Sequence, residues 1–399
     1  MNSTTVIAVL VAAMMLGGTA YIVANQEGKE GRSVSVLAMV NAEGSGIFCK
    51  DNTLNINIRD NWGGKNFMTP GPGSIQHEML KAKAQEFNYD FVSGTGTDPG
   101  TIYWTQVAPG LMSETFGNPG FNFDGGITWE PWFTQITSKY SAANASLNSG
   151  RVAHEIATTG MIEPGHPCCM IVADNSFLNG RDYMATRFLL AYMEAVDWVN
   201  KAIDDANRYG RNEPNYVALE KLAWEKAFGG SGSPVNQADK DMIWKALNNI
   251  RFEYDIDHGI DGSGLKEYTV KLIDRFYNSG SINKMPDDPT AFADKLINYN
   301  YLQNAKSNTI VSAAVGTNPV GSIRMAILDS DLHQIAVRAA MEPGLIYSSG
   351  SVFDAYGVSI DLKALQPNGP AIMNLFAMGE IDIGVLGLPP VVARAANGL

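Results

Sequence analysis

Two stretches near the C-terminal end decide the fold: SIRMAILDSDLHQIAVRAAMEPG (Ser322–Gly344) and GVSIDLKALQPNGPAIMNLFAMGEIDIGVLGLPPVVARAANG (Gly357–Gly398). Short apolar runs alternate there with helical patterns, the rhythm of a βαβαβα unit. The expected strands are Ile323–Leu328, Val358–Leu362 and Ile381–Leu386. The expected helices are His333–Glu342, stopped by Pro343-Gly344, then Pro370–Met378, then one opening on Pro389-Pro390, where the missing proline N–H costs nothing. This alternation predicts a mostly parallel sheet with helices on both faces and ligand sites at the C-terminal ends of its strands.

At the other end of the chain, Ser33–Val40 reads as a further strand, and Asn66–Met68 enters the turn TPGPGS before a helix from Ser74 to about Phe87. That is a second α/β unit. In the middle, Met184, Phe188, Ala191, Ala195, Trp198 and Ala202 recur at helical spacing up to Gly210, a stripe that core packing explains. GGSGSP (Gly229–Pro234) reads as a surface linker, and so does the Gly/Pro-rich stretch Gly94–Gly120 around one aromatic strand, Ile102–Val107.

The chain has 399 residues, 45% of them apolar, enough for two domains with cores of their own. A net charge of −12 and a pI near 4.9 exclude nucleic acid as a partner, because phosphate recognition needs clustered Lys and Arg. The uncharged run Val6–Ala24 is long enough to span a bilayer core of ~30 Å. It reads as a transmembrane or signal helix; MNSTT ahead of it carries no Lys or Arg, which favours a retained anchor over a cleaved signal. The expected location is the extracytoplasmic face of the cell membrane. Cys168 and Cys169 are vicinal and Cys49 is distant, so no disulfide framework follows, and buried small side chains are the expectation.

Several turns offer binding chemistry. In TPGPGSIQH, Gly71 and Gly73 flank Pro72 and let backbone N–H groups face a ligand, Ser74 caps the next helix, and His77 sits in its first turn. PNGP (with Asn368 and Gly369) and GLPP (with Leu388 and Pro389) are further strand-to-helix turns. In WEPW, Trp129 and Trp132 offer an apolar wall around the Glu130 carboxylate. AEGSG (Ala42–Gly46) suits a hinge, with Glu43 and Ser45 within reach of a cleft. In DSDLHQ, Asp331 and His333 follow a strand's C-terminal end.

No cofactor and no metal site is expected, since the five histidines show neither HExxH spacing nor paired CxxC motifs around them. No GxSxG elbow, Walker A loop or strand-following GxGxxG is present, so an enzyme is not expected.

MTPGPGSIQH (Met68–His77), GGITWEPW (Gly125–Trp132), PGHPCCMIVAD (Pro164–Asp174) and FAMGEIDIGVLGLPPVVARAANG (Phe376–Gly398) together resemble the solute-binding proteins of ABC importers of the nitrate/sulfonate/taurine type, a group that includes thiamine-pyrimidine-precursor binders. The resemblance covers nearly the whole chain after residue 32. It implies a two-lobed periplasmic-binding-protein-like fold of type II, with residues 1–32 as anchor and linker, 33–44 and 168–399 as one lobe, and 45–167 as the other. It also implies a small anionic solute bound at the TPGPGS turn and near DSDLHQ, with an ABC permease and ATPase as partners.

The order of the motifs departs from that family. The family's opening lobe stands here at the C-terminus, and VVARAANGL would continue naturally into SVSVLAMV at Ser33, so the sequence looks circularly permuted. A pyrimidine synthase that shares this fold uses a cysteine-rich motif with iron; HPCCM, with two adjacent cysteines and one histidine, falls short of that pattern, which leaves a pyrimidine-synthase-like enzyme the least favoured reading. The rival class is structural: an anchored solute-binding fold reused as a self-assembling surface or filament subunit.

Overall fold

The computed structural model describes residues 33–255, 264–307 and 320–398. The apolar run 6–24 and most of the 308–321 stretch lie outside these residues. Among the described residues no helix is long and apolar enough to cross a membrane.

Thirteen strands are described: β1 (Val34–Met39), β2 (Asn41–Glu43), β3 (Ser45–Cys49), β4 (Asn66–Thr69), β5 (Asp90–Ser93), β6 (Thr101–Gln106), β7 (Gly125–Trp129), β8 (His154–Thr158), β9 (Cys169–Asp174), β10 (Ile250–Phe252), β11 (Gly321–Ala326), β12 (Val358–Leu362) and β13 (Ile383–Gly387). They form a five-stranded sheet in the order β1-β9-β13-β11-β12, a six-stranded sheet in the order β5-β6-β4-β7-β3-β8, and a ribbon of β2 with β10. In the first sheet β11 runs parallel to β12 and β13, while β9 is antiparallel to β13 and β1. In the second, β4 runs parallel to β6 and β7, while β3 is antiparallel to β7 and β8. The chain passes between the sheets at β1–β3 and again at β8–β9.

The helices that position the site are α1 (Ile75–Glu86), α2 (Pro109–Gly117), α3 (Asn175–Tyr209), α4 (Ile335–Met341), α5 (Gly369–Met378) and α6 (Leu388–Ala396). Each of α1, α2, α5 and α6 starts directly after the C-terminal end of a parallel strand. Ser74 caps α1 by accepting the His77 N–H at 3.2 Å, and Asn368 caps α5 by accepting the Ala371 N–H at 3.0 Å. The Met184 stripe falls on α3, where Met184, Phe188, Ala191, Ala195 and Ala202 are buried. α3 carries the middle of the chain across β9, β1 and β12, which fixes the long apolar core against the five-stranded sheet.

Some local expectations are corrected. Gly94–Gly120 is not one linker around a strand: Pro109–Gly117 within it forms α2, with Pro109 in its first turn and Met112 and Phe116 buried against the second apolar cluster. Burial of those two side chains outweighs the turn-forming composition. The helix expected over His333–Glu342 begins as a 3-10 turn at Leu332–Gln334, capped by Asp331, and becomes α-helical only from Ile335. GGSGSP links two packed helices, Pro214–Lys226 and Gln237–Asn248. β1 joins the sheet of β11 without touching it, as an outer strand paired to β9.

Candidate functional site

A cavity of about 270 Å³ lies between the two sheets, and its walls are the loops at the C-terminal ends of their parallel strands. From the six-stranded side come Pro70–Gln76 after β4, Gln106–Pro109 after β6, and Trp129 at the end of β7. From the five-stranded side come Leu328, Asp331 and His333 after β11, Pro367–Pro370 after β12, and Gly387, Pro389 and Pro390 at the end of β13. Cys168 and Cys169 enter at the start of β9, which runs the opposite way. Parallel strands carry their loops and helix starts at one end, so two such sheets facing each other enclose a site by topology.

Of the residues expected at the site, Gly71, Gly73, Ser74, Trp129, Asp331, His333, Asn368, Gly369 and Pro389 line the cavity. Gly71 has φ 104°, which favours glycine; an added Cβ would also lie 2.5 Å from the end of the exposed Gln106 side chain, which would have to swing aside. The Trp129 indole Nε1 is buried and has no hydrogen-bond partner among the described residues. Among the described residues the lining contains no Lys or Arg.

Five expected residues stand behind the wall instead. His77 is buried against Phe91 and Trp104 and hydrogen-bonds Thr69 Oγ1 at 3.0 Å; burial pushes its pKa down to about 3. Glu130 is buried and accepts from Thr134 Oγ1 and Asn249 Nδ2, both at 2.8 Å; burial raises its carboxyl. Its role is to tie the loop after β7 to its surroundings. Glu43 accepts from the Gly165 N–H at 2.8 Å on the crossing between the sheets. Ser45 accepts from Gln76 Nε2 at 2.9 Å and so holds a side chain that does line the cavity. Leu388 is buried, and its N–H donates to Cys168 O at 2.9 Å. Of the amides expected from GLPP, that of Leu388 is therefore taken, and Pro389 and Pro390 have none.

What the sequence reading missed lies opposite Ser74. Cys168 and Cys169 are buried, as expected of small side chains, but they stand beside a histidine and an acid in the cavity wall. Cys168 Sγ lies 3.8 Å and Cys169 Sγ 4.0 Å from His333 Nδ1, and Asp331 Oδ1 lies 3.3 Å from the same nitrogen. His333 Nε2 is 2.7 Å from Gly44 O, an acceptor, so Nε2 carries the proton. Gly44 has φ 84°, and a Cβ there would meet His333 Nε2 at 2.3 Å.

The Cys169 thiol, with the His333 imidazolium behind it, pulls the Cys168 thiol well below its ordinary range despite burial, and the same pairing pushes Cys169 up. Burial opposes charge on His333, but the Cys168 thiolate and Asp331 overcome it and lift the imidazole to about 9. Burial lifts Asp331 to about 6. A nucleophile–base–acid relay would need the sulfur and the carboxylate on different ring nitrogens; here both face Nδ1 while Nε2 is held by backbone. The sequence signals for this cluster were separate: DSDLHQ offered Asp331 and His333 after a strand, and HPCCM the adjacent cysteines, with nothing local to join them.

No family model and no curated protein matches the chain. Among solved structures it is similar to the ligand-binding component of an ABC-type import system from Staphylococcus aureus with zinc bound, at 14% identity over 69% of this chain and 75% of that one, TM-score 0.43. It is also similar to a putative sulfonate ABC transporter's periplasmic sulfonate-binding protein SsuA from Methylobacillus flagellatus KT, at 13% identity over 68% of each chain, TM-score 0.41.

Proposed function

We propose that the chain is an extracytoplasmic solute-binding protein that captures a small anionic solute, of nitrate, sulfonate or taurine type, for an ABC importer. The observation that carries this reading is the cavity itself, walled by the C-terminal strand loops of both sheets. A ligand held by both walls favours their approach, which is the differential affinity that closure requires. The crossing at Glu43 (φ 64°) and Gly44 (φ 84°) is the hinge in this reading.

With no Lys or Arg in the lining and the His333 ring already paired to Cys168 and Asp331, selectivity for an anion rests on the start of α1 and its glycine turn, worth ~0.3–1 kcal/mol at an exposed helix end and more when partly buried. The Trp129 N–H adds a second donor, and the prolines at 70, 72, 109, 370, 389 and 390 suit an apolar body. A bare inorganic ion would leave these proline faces unused, so an organic sulfonate is preferred over nitrate.

In this reading residues 33–44 and 168–399 form one lobe, and 45–167 the other. Counted from β11, the five-stranded sheet has the order second, first, third, return strand, fourth; counted from β4 and setting aside the edge strand β5, the six-stranded sheet has the same order. The match holds only if β1 follows β13, which supports the circularly permuted reading of the chain.

The test is a thermal-shift panel of nitrate, taurine, alkane sulfonates and carboxylates, followed by calorimetry on any hit. One class should raise the midpoint and lose affinity in Gly71→Ala; no shift across the panel overturns the reading.

A further inference from the structure

Among the described residues, one group of donor side chains is arranged as a metal site: Cys168 Sγ, Cys169 Sγ and His333 Nδ1, all buried and all within 4.8 Å of one another. In a tetrahedral zinc site, with Zn–S near 2.3 Å and Zn–N near 2.0–2.1 Å, donor atoms sit roughly 3.5–3.8 Å apart. The two sulfur-to-nitrogen distances, 3.8 and 4.0 Å, need to shorten by only a few tenths of an ångström.

Three further features fit a cation at that point. The proton on His333 Nε2 is held by Gly44 O, which leaves Nδ1 as the coordinating nitrogen and fixes the ring; this is how ligating histidines are oriented. The cysteine backbone is clamped on both sides: Cys168 N donates to Asn41 O at 3.0 Å and Val40 N to Cys169 O at 2.8 Å on one, and Leu388 N donates to Cys168 O at 2.9 Å on the other. Asp331 adds a buried carboxylate 3.9 Å from Cys169 Sγ, so potential negative charges crowd one imidazole with no Lys or Arg in the lining.

The geometry points to zinc(II), a thiophilic d10 ion, bound by Cys168, Cys169 and His333 in the cavity wall, with its remaining coordination position open to the cavity. Two thiolates and one imidazole select such ions over magnesium or calcium, which take oxygen ligands. Coordination displaces the protons held on the two sulfurs and on His333 Nδ1, which pass to solvent. The inference stands whether or not the cleft takes an anionic solute, and the two fail separately.

The full chain, purified under reducing conditions and stripped with a chelator, is titrated with zinc(II) against a chromophoric competitor, and with cobalt(II) under a spectrometer. The expected result is one equivalent per chain and a thiolate-to-cobalt charge-transfer band. Cys168→Ser and Cys169→Ser should each weaken zinc by about a hundredfold or more, with Cys49→Ser unchanged. On the unmodified protein, zinc should protect Cys168 and Cys169 from alkylation, read by mass spectrometry, which keeps the test valid where a variant fails to fold. Absence of saturable binding, or binding that survives in both cysteine variants, overturns the site. Anion binding by the metal-free protein would leave the solute reading intact in that event; zinc binding with a silent anion panel would do the reverse.

Discussion

The five-stranded sheet ends on β1 and the six-stranded sheet on β8, and the two edges differ in kind; in the proposed permuted reading, with β5 set aside, these edges correspond. All six residues of β1 are buried, whereas β8 has only Ala157 buried and Glu155 exposed. The cause is the layer beyond. β1 is covered by α3 and by the helices Pro289–Leu296 and Tyr299–Ser307, while β8 lies at the rim. The strand nearest the start of the described chain is therefore core, and an assembly drawn from both chain ends is no looser than one from a continuous segment.

The largest effect that would break this comparison is a charge on the buried edge. Val36→Asp, with Val36 fully buried, should abolish cooperative folding or cost at least ~4 kcal/mol, whereas Ile156→Asp on the half-exposed β8 should cost about 1–2 kcal/mol. Urea denaturation followed by circular dichroism separates the two, and equal losses would refute the difference in burial.

Next in size is the turn after each sheet's first strand. Gly71→Ala forces a Cβ into the left-handed region against Gln106, and a loss of ~2 kcal/mol is expected together with weaker solute binding. Calorimetry with and without a bound anion reports both.

Comparable in size but dependent on pH is His77. Its folded pKa, about 3, lies below the ordinary 6.5, so the unfolded chain binds more protons between those values. The stability from this group is complete above about pH 6.5 and is lost as pH falls toward 3, on the order of 3 kcal/mol by pH 4. Denaturation midpoints at pH 7, 5.5 and 4 should fall more steeply for the parent chain than for His77→Leu; parallel slopes would exclude His77 as the source.

Smaller again is the cap on the other wall. Asn368→Ala removes the acceptor for the Ala371 N–H and should cost ~1 kcal/mol. The smallest effect belongs to the chain order: joining residue 399 to Ser33 through a short linker, with new ends within 308–319, should leave the melting midpoint within a few degrees. A rejoined chain that does not fold would count against the permuted reading.

Much of the fold is legible in the sequence because periodicity and turn chemistry are local. Val358–Leu362 is read to the residue, α1 and α5 to within one residue at their starts, and the Met184 stripe falls on α3. α2 is not legible, because Pro109, Gly110 and Gly117 signal a loop and the burial of Met112 and Phe116 is what favours the helix. At the site, the glycine turn at Gly71–Ser74 announces itself by composition. Which polar residues face the cavity does not: Glu130, His77 and Ser45 look like ligands in the chain and are buried as struts.

By itself, the sequence determined the alternation of strands and helices, the caps and glycine turns, and a charge balance that excludes nucleic acid, since each depends on neighbours in the chain. Only the tertiary structure decided that Cys168, Cys169 and His333 meet, 164 and more residues apart, at the wall of one cavity. That meeting depends on β9 running antiparallel beside β13, which brings the start of one strand level with the ends of the others. Sheet order is a property of long-range pairing, and no local pattern around either cysteine encodes it.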